Sequence, residues 1–251
     1  MNVKIAGSFL IAVMLCALPS FADETVACAT DWGYGDTNGP YQWGQLNKAY
    51  VACDSGQFQA PIALGPPTVP APYALSARYV TSAVTVQHTA HDMNVYALGS
   101  ANLLTYGTAV SARLNKFHFH HRSEHPGAEA ELHLVHFDSN NRGYVIAILI
   151  DAGDNNTPNN EAISALLSLY PTTVCTSANS NAVPLAALLV PTDHWTKYTG
   201  SLTTPACDAG VTFFVMNTHL RIPPAQLSAL IAVAEGARPP QPRNGRTLEV
   251  R

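Results

Sequence analysis

Residues 117–136 read FHFHHRSEHPGAEAELHLVH and hold six of the chain's ten histidines. Aromatic and apolar residues alternate with histidines at both ends of this stretch, the period of a β-strand, in which side chains two apart share a face. His118 and His120 therefore share one face of the first strand, and Phe117, Phe119 and His121 the other. Pro126-Gly127 breaks the run. A second strand over 130–138 then puts Glu131, His133 and Val135 on one face and Leu132, Leu134 and His136 on the other. Two paired strands of this kind predict an antiparallel sheet with a polar cluster on one face.

Two imidazoles about 7 Å apart on one strand can converge on one ion, with a third supplied by the neighbouring strand. His133 is the better third ligand than His136, because Glu131 on the same face can accept a hydrogen bond from its Nδ1–H. His121, His125 and His136 are expected to face away as hydrogen-bonded core histidines. Three neutral imidazoles with one open position describe a catalytic zinc site, although ligand type alone leaves copper and iron open. The spacing His118-x-His120-x₃-Glu124 also matches a cupin-type metal site. The glycines of that pattern are replaced by Ala112 and Glu131, and no downstream Pro-x-Gly-x-x-His follows.

Outside this stretch, Met1–Ala22 carries Lys4, an apolar run over Ile5–Leu18 and a small-residue exit. It reads as a secretory signal peptide cut before Asp23, and its apolar run is too short for a membrane anchor. The mature residues 23–251 then form one domain, periplasmic or secreted. Charged residues make up only 12% of the chain and the net charge is -4, so no basic surface for nucleic acid or anionic lipid is expected. Removing the leader also removes Cys16, leaving Cys28, Cys53, Cys175 and Cys207, an even set that suggests two disulfides with three possible pairings.

The predicted fold class is mainly β (α+β): a large, mostly antiparallel twisted sheet with short peripheral helices. Residues 23–75, rich in Gly, Pro, Asn and aromatics, read as an irregular wrap. Strands are predicted over 78–87, 91–98, 101–106, 113–121, 130–138, 143–151 and 211–218. Helices are predicted over 160–169, before Pro171, and over 223–235, where Leu227, Leu230, Ile231 and Ala234 recur at helical spacing.

The stretch FHFHHRSEH…ELHLVH resembles the α-class carbonic anhydrases, and so do other segments in the same order. Trp32-Gly33-Tyr34-Gly35 is similar to the N-terminal signature and Gln57–Ile62 to the Q-S-P-I segment. Gly200–Pro205 is similar to the active-site loop and Gln241–Arg246 to the C-terminal segment. The resemblance implies zinc held by His118, His120 and His133, with Glu131 orienting the third ligand. It implies reversible hydration of CO₂ to bicarbonate and a proton by zinc-hydroxide attack, with weak ester hydrolysis beside it.

In that scheme Thr203 and Glu124 orient the nucleophile, Thr204 contacts the solvent network, and Val135, Val145, Leu202 and Phe213 form the CO₂ wall. His91 is the proton shuttle, with His88 as understudy. Cys53–Cys207 falls where exported members carry a disulfide, which leaves Cys28 with Cys175. The expected partners are CO₂ and bicarbonate, the expected assembly a monomer or homodimer. Lys116 stands where the family usually has a glutamine accepting from the first ligand, and Phe213 where it has a tryptophan. A catalytically silent binding or adhesion relative is the main alternative.

Overall fold

The computed structural model describes residues 31–251; residues 1–22, read above as a signal peptide, and Cys28 lie outside them. The first seven strands are β1 (Thr68–Pro70), β2 (Leu75–Arg78), β3 (Thr81–His88), β4 (Met93–Ala97), β5 (Leu103–Tyr106), β6 (Val110–His121) and β7 (Ala130–Asp138). β8 (Gly143–Ala152), β9 (Thr176–Pro184), β10 (Trp195–Ser201), β11 (Ala209–Met216), β12 (Leu220–Ile222) and β13 (Leu248–Val250) follow. They join in one 13-stranded sheet whose main path is β1-β13-β10-β11-β8-β7-β6-β4-β3-β9, with β12 paired to β8 and β2 joined through β5 to β6. Pairing is mostly antiparallel, the exceptions being β1 with β13 and β8 with β11 and β12. The helices are short: α1 (Trp43–Leu46), α2 (Ala52–Ser55), α3 (Glu161–Leu169) and α4 (Pro224–Ile231). No helix among the described residues is long and apolar enough to cross a membrane.

β7 and β8 lie at the middle of the strand order, where residues 130–136 and 144–150 are all buried. Covered on both faces, they have little use for polar alternation, which is why YVIAILI reads as a continuous apolar run. One face of the sheet packs Phe117, Phe119, Leu132, Leu134, Ile146 and Ile148 beneath α3 and α4, whose Ile163, Leu166, Leu227 and Leu230 complete the cluster. Each large side chain buried there contributes roughly 1.5–3 kcal/mol. The opposite face carries a second cluster that includes Val135, Val145, Ala147, Tyr198, Phe213 and Val215. The β6–β7 register sets His118 opposite His133 and His120 opposite Glu131 on this second face. A bulge between Leu114 and Lys116 shifts the alternation by one, so Leu114 enters the first cluster while Lys116 joins the histidine face.

Ordering at the rim of this face depends on one glycine. A Cβ on Gly200 would sit 2.8 Å from Ala60 Cβ, so only glycine lets β10 pass this close to residues 59–61. Next to it, the Ser201 hydroxyl accepts from Ala60 N–H and donates to Leu202 O, which starts the loop containing Thr203.

His136 faces the apolar cluster, away from the other histidines. Its Nδ1–H donates to Tyr144 O (3.2 Å) and its Nε2 accepts from the Tyr79 hydroxyl (2.5 Å). Burial lowers its pKa from 6.5 to about 4. The unfolded chain therefore binds a proton between these values that the folded chain refuses. The stability from keeping His136 neutral is complete above pH 6.5 and lost as pH falls towards 4, a difference of about 3 kcal/mol. Urea unfolding across this window should show that loss in the native protein and a shallower one in His136→Gln; equal slopes would contradict the assignment.

Candidate metal centre

His118 and His120 project from β6 and His133 from β7. His118 Nε2 lies 3.0 Å from His120 Nε2, which lies 3.1 Å from His133 Nδ1. All three ligand atoms fall within 4.8 Å of one another. Hydrogen bonds on the far side of the rings set the tautomers. His120 Nδ1–H donates to Gly236 O (2.8 Å), and His133 Nε2–H donates to Glu131 Oε1 (2.8 Å). Those two protons are thereby placed outside the cluster, so His120 Nε2 and His133 Nδ1 turn lone pairs inward. Burial lowers the pKa of all three imidazoles, His118 most strongly. Neutral rings with inward lone pairs fit a divalent metal such as zinc.

The expected contact of Glu131 is made through the other nitrogen. His133 turns Nδ1 inward and gives Nε2, not Nδ1, to Glu131. With His133 and Glu131 two apart on one strand face, the carboxylate reaches the ring tip while Nδ1, close to the backbone, is left for the cluster.

His125 is the buried, hydrogen-bonded histidine expected, but it turns towards the site and not away from it. It is fully buried, and its Nδ1–H donates to the same Glu131 Oε1 (2.6 Å) while its Nε2 meets the Tyr198 hydroxyl (2.9 Å). It lies in the turn after β6, where strand alternation no longer applies. Glu131 accepts four hydrogen bonds, two from His125 (ring and backbone), one from His133 and one from the Ser123 hydroxyl. Burial opposes its charge, but His125 and His133 outweigh that and hold Glu131 well below the usual carboxylate range. Burial likewise opposes protonation of His125, and Glu131 raises it nonetheless.

Lys116 has no acceptor to offer the first ligand, and His118 Nδ1 is buried without a protein partner. A different acid approaches from the other side. The Glu235 carboxylate lies 4.0 Å from His118 Nε2 and 3.9 Å from His120 Nδ1, brought there by a short parallel bridge between His120 and Glu235. Burial and nearby Asp92 push it well above the usual range.

Glu124 Oε1 accepts from Arg238 N–H (3.0 Å), while Oε2 has no protein donor within bonding distance. Burial raises Glu124 to about 7, partly offset by His133, by the Arg238 N–H and by the neighbouring Thr203 hydroxyl. Thr203 is buried and Thr204 half-buried. Val135, Val145 and Phe213 lie in the second apolar cluster, and Phe213 stacks flat on Tyr198 (5.0 Å) with its ring centroid 5.8 Å from that of His133. Leu202 is 36% exposed and lies outside that cluster.

The Thr203 loop is tied down from outside. Cys53 and Cys207 form a disulfide, and the buried Arg238 guanidinium donates to Cys53 O, Ala60 O and Gln59 Oε1. Gln59 Nε2 in turn donates to Cys207 O. Cys175 is also disulfide-bonded. His91 stacks on Trp32 with ring centroids 3.8 Å apart, beside a cavity of about 360 Å³ lined by Trp32, Gly33, Tyr34, Asn38, Ala90 and His91. His88 is held elsewhere, donating through Nδ1 to Pro171 O.

Tyr198, Arg238 and Glu235 carry no local sequence signal for these positions. Each reaches the site through contacts with segments far away in the chain.

The match to known proteins agrees with this geometry. The family model described as eukaryotic-type carbonic anhydrase covers residues 38–251. A carbonic anhydrase of Neisseria gonorrhoeae is 30% identical over 246 residues, spanning 95% of each chain. The α-carbonic anhydrase of Photobacterium profundum superposes with a TM-score of 0.76 at 29% identity, over 86% of this chain and 99% of that one. The Thermovibrio ammonificans α-carbonic anhydrase, solved with sulfanilamide, gives 0.78 at 28%, over 87% and 98%. The likeness runs over nearly the whole length of those relatives, and the chain belongs to the α-class carbonic anhydrases.

Proposed function

We propose that the protein is an exported zinc carbonic anhydrase that interconverts CO₂ and bicarbonate, with His118, His120 and His133 holding the metal. The observation that carries this reading is the tautomer arrangement: lone pairs inward, two of the outer N–H groups taken by Gly236 O and Glu131. Bound zinc is a Lewis acid that brings the pKa of a water molecule towards neutrality, as is established for carbonic anhydrases generally.

The chain's own residues supply the rest. Thr203, donating its hydroxyl hydrogen towards Glu124, can only accept from the attacking nucleophile and so orients it. Val135, Val145, Leu202 and Phe213 offer CO₂ an apolar wall, and Thr204 faces the bicarbonate side. Glu131, held by His125 and Ser123, keeps His133 in its tautomer. His91 takes the released proton to solvent. Weak ester hydrolysis accompanies the main reaction.

We also propose that residues 1–22 are cleaved, that residues 23–251 form one domain working in the periplasm or outside the cell, and that Cys175 pairs with Cys28. Stopped-flow CO₂ hydration combined with metal analysis tests the reading. Stoichiometric zinc with sulfonamide-sensitive hydration is expected; zinc-loaded protein without hydration would mark a silent binding relative instead.

The shuttle is tested separately. His91→Ala should lower turnover by about tenfold or more, and added imidazole should restore part of it, because a free base of similar pKa replaces the missing one. Turnover that neither falls nor responds to imidazole would remove His91 from the scheme.

A further inference from the structure

The hairpin between β3 and β4 presents His91 from residues 89–92, and its tip is closed by two buried polar side chains. Thr89 N–H donates to Asp92 O (2.9 Å), the backbone closure of the turn. The Thr89 hydroxyl donates to Asp92 Oδ1 (2.5 Å) and accepts from the backbone N–H of both His91 and Asp92 (3.1 Å each). Asn94 Nδ2 donates to the same Asp92 oxygen (2.8 Å). Thr89 is 3% exposed and Asp92 5%.

Each of these bonds depends on the previous one. A hydroxyl has one hydrogen, and the carboxylate can only accept it. Its lone pairs are then free for the two N–H groups, one of which belongs to His91 itself. A buried amide left without an acceptor is costly, so the turn has little freedom while the clasp is closed. Trp32, stacked on the imidazole, limits the ring on its other side.

We propose that Thr89 and Asp92 are positioning residues for the proton-export step, fixing the backbone from which His91 receives and releases its proton. This inference rests on the assignment of His91 above. It predicts a kinetic separation that a general loss of structure would not produce. Export of the proton restores the site after bicarbonate has left, so it limits kcat and is absent from kcat/KM. Water activation and CO₂ attack belong to the three histidines; the charge of Asp92, which also reaches Glu235, is removed in both Asp92 variants, so comparing those two isolates the clasp.

The experiment compares Thr89→Val, Asp92→Ala, Asp92→Asn and His91→Ala in the zinc-loaded full chain by stopped-flow CO₂ hydration, with and without imidazole. Thr89→Val keeps the side-chain shape and removes the clasp. It should lower kcat on the order of tenfold, short of the ~100-fold that a misplacement of about 1 Å can cost. Its kcat/KM should hold, and imidazole should restore kcat.

Asp92→Ala should behave like Thr89→Val. Asp92→Asn keeps an oxygen for the Thr89 hydroxyl and should recover most of the kcat lost in Asp92→Ala. If Thr89→Val does not fold, the Asp92 pair decides alone: equal kcat in the two variants overturns the inference. A parallel fall in kcat and kcat/KM overturns it too, as does an unchanged kcat in Thr89→Val where His91→Ala is impaired. If His91→Ala itself keeps full kcat, the shuttle assignment fails, and this inference with it.

Discussion

Replacing His133 by alanine is expected to weaken zinc binding by about 10³-fold, taking one imidazole's share, roughly a third, of a total binding free energy of about 12 kcal/mol. Hydration activity should fall to background with it. The contrast that gives the result meaning is His136→Ala, three residues further along the same strand. His136 lies on the other face, bonded to Tyr79 and Tyr144 and buried with the apolar cluster. Its removal leaves a buried hydroxyl and a carbonyl unpaired and opens a cavity, a loss of about 3 kcal/mol in stability with zinc stoichiometry intact. Chelator competition measures the first effect and urea unfolding the second. Loss of zinc in His136→Ala with His133→Ala unaffected would reverse the assignment of faces.

Removing the Cys53–Cys207 disulfide is expected to cost stability on the order of 5 kcal/mol, an upper-end figure from loop-closure entropy. The bridge joins residues separated by 154 positions, so the unfolded chain gains much freedom when it is absent. Its effect should extend to the reaction. Cys207 N–H closes a turn onto Thr204 O (2.9 Å), and Cys207 O is held by Gln59, which Arg238 holds in turn. The same Arg238 supplies the backbone N–H that fixes Glu124. A Cys53→Ala/Cys207→Ala protein should therefore unfold at lower urea and, while still folded, turn over CO₂ more slowly with zinc content unchanged. Full activity at reduced stability would show that Arg238 and Gln59 hold the loop without the bridge.

How much of this could be read beforehand differs from element to element. Strand alternation was enough to place His118 and His120 together and to separate His133 from His136, because a buried sheet face enforces that period. The helix over 160–169 was legible from its apolar spacing, and α3 occupies 161–169 with Asn160 capping it through its side chain. β9, by contrast, reads TSANSNAVP and is mostly exposed. It is an edge strand whose pairing with β3 supplies its order, so no hydrophobic alternation announces it. β10 reads WTKYTGS, and its polar Thr196 and Ser201 are buried by pairing with neighbouring strands, so its pattern does not announce it either.

Within the site, strand alternation by itself offered three histidines with two acids near them, and the resemblance to the α-class carbonic anhydrases added the threonine loop and a lysine that cannot accept from His118. The tertiary structure decided how those groups are used. It turned His133 so that Nε2, not Nδ1, meets Glu131, and it placed His125 against that same carboxylate. It also brought Arg238 to Glu124 and Glu235 to within 4.0 Å of His118. The physical reason is range. Alternation along a strand reports which face a side chain takes, since it depends only on the local backbone. Which nitrogen carries a proton, and which distant acid lies beside it, depends on segments that meet only once the sheet has closed around them.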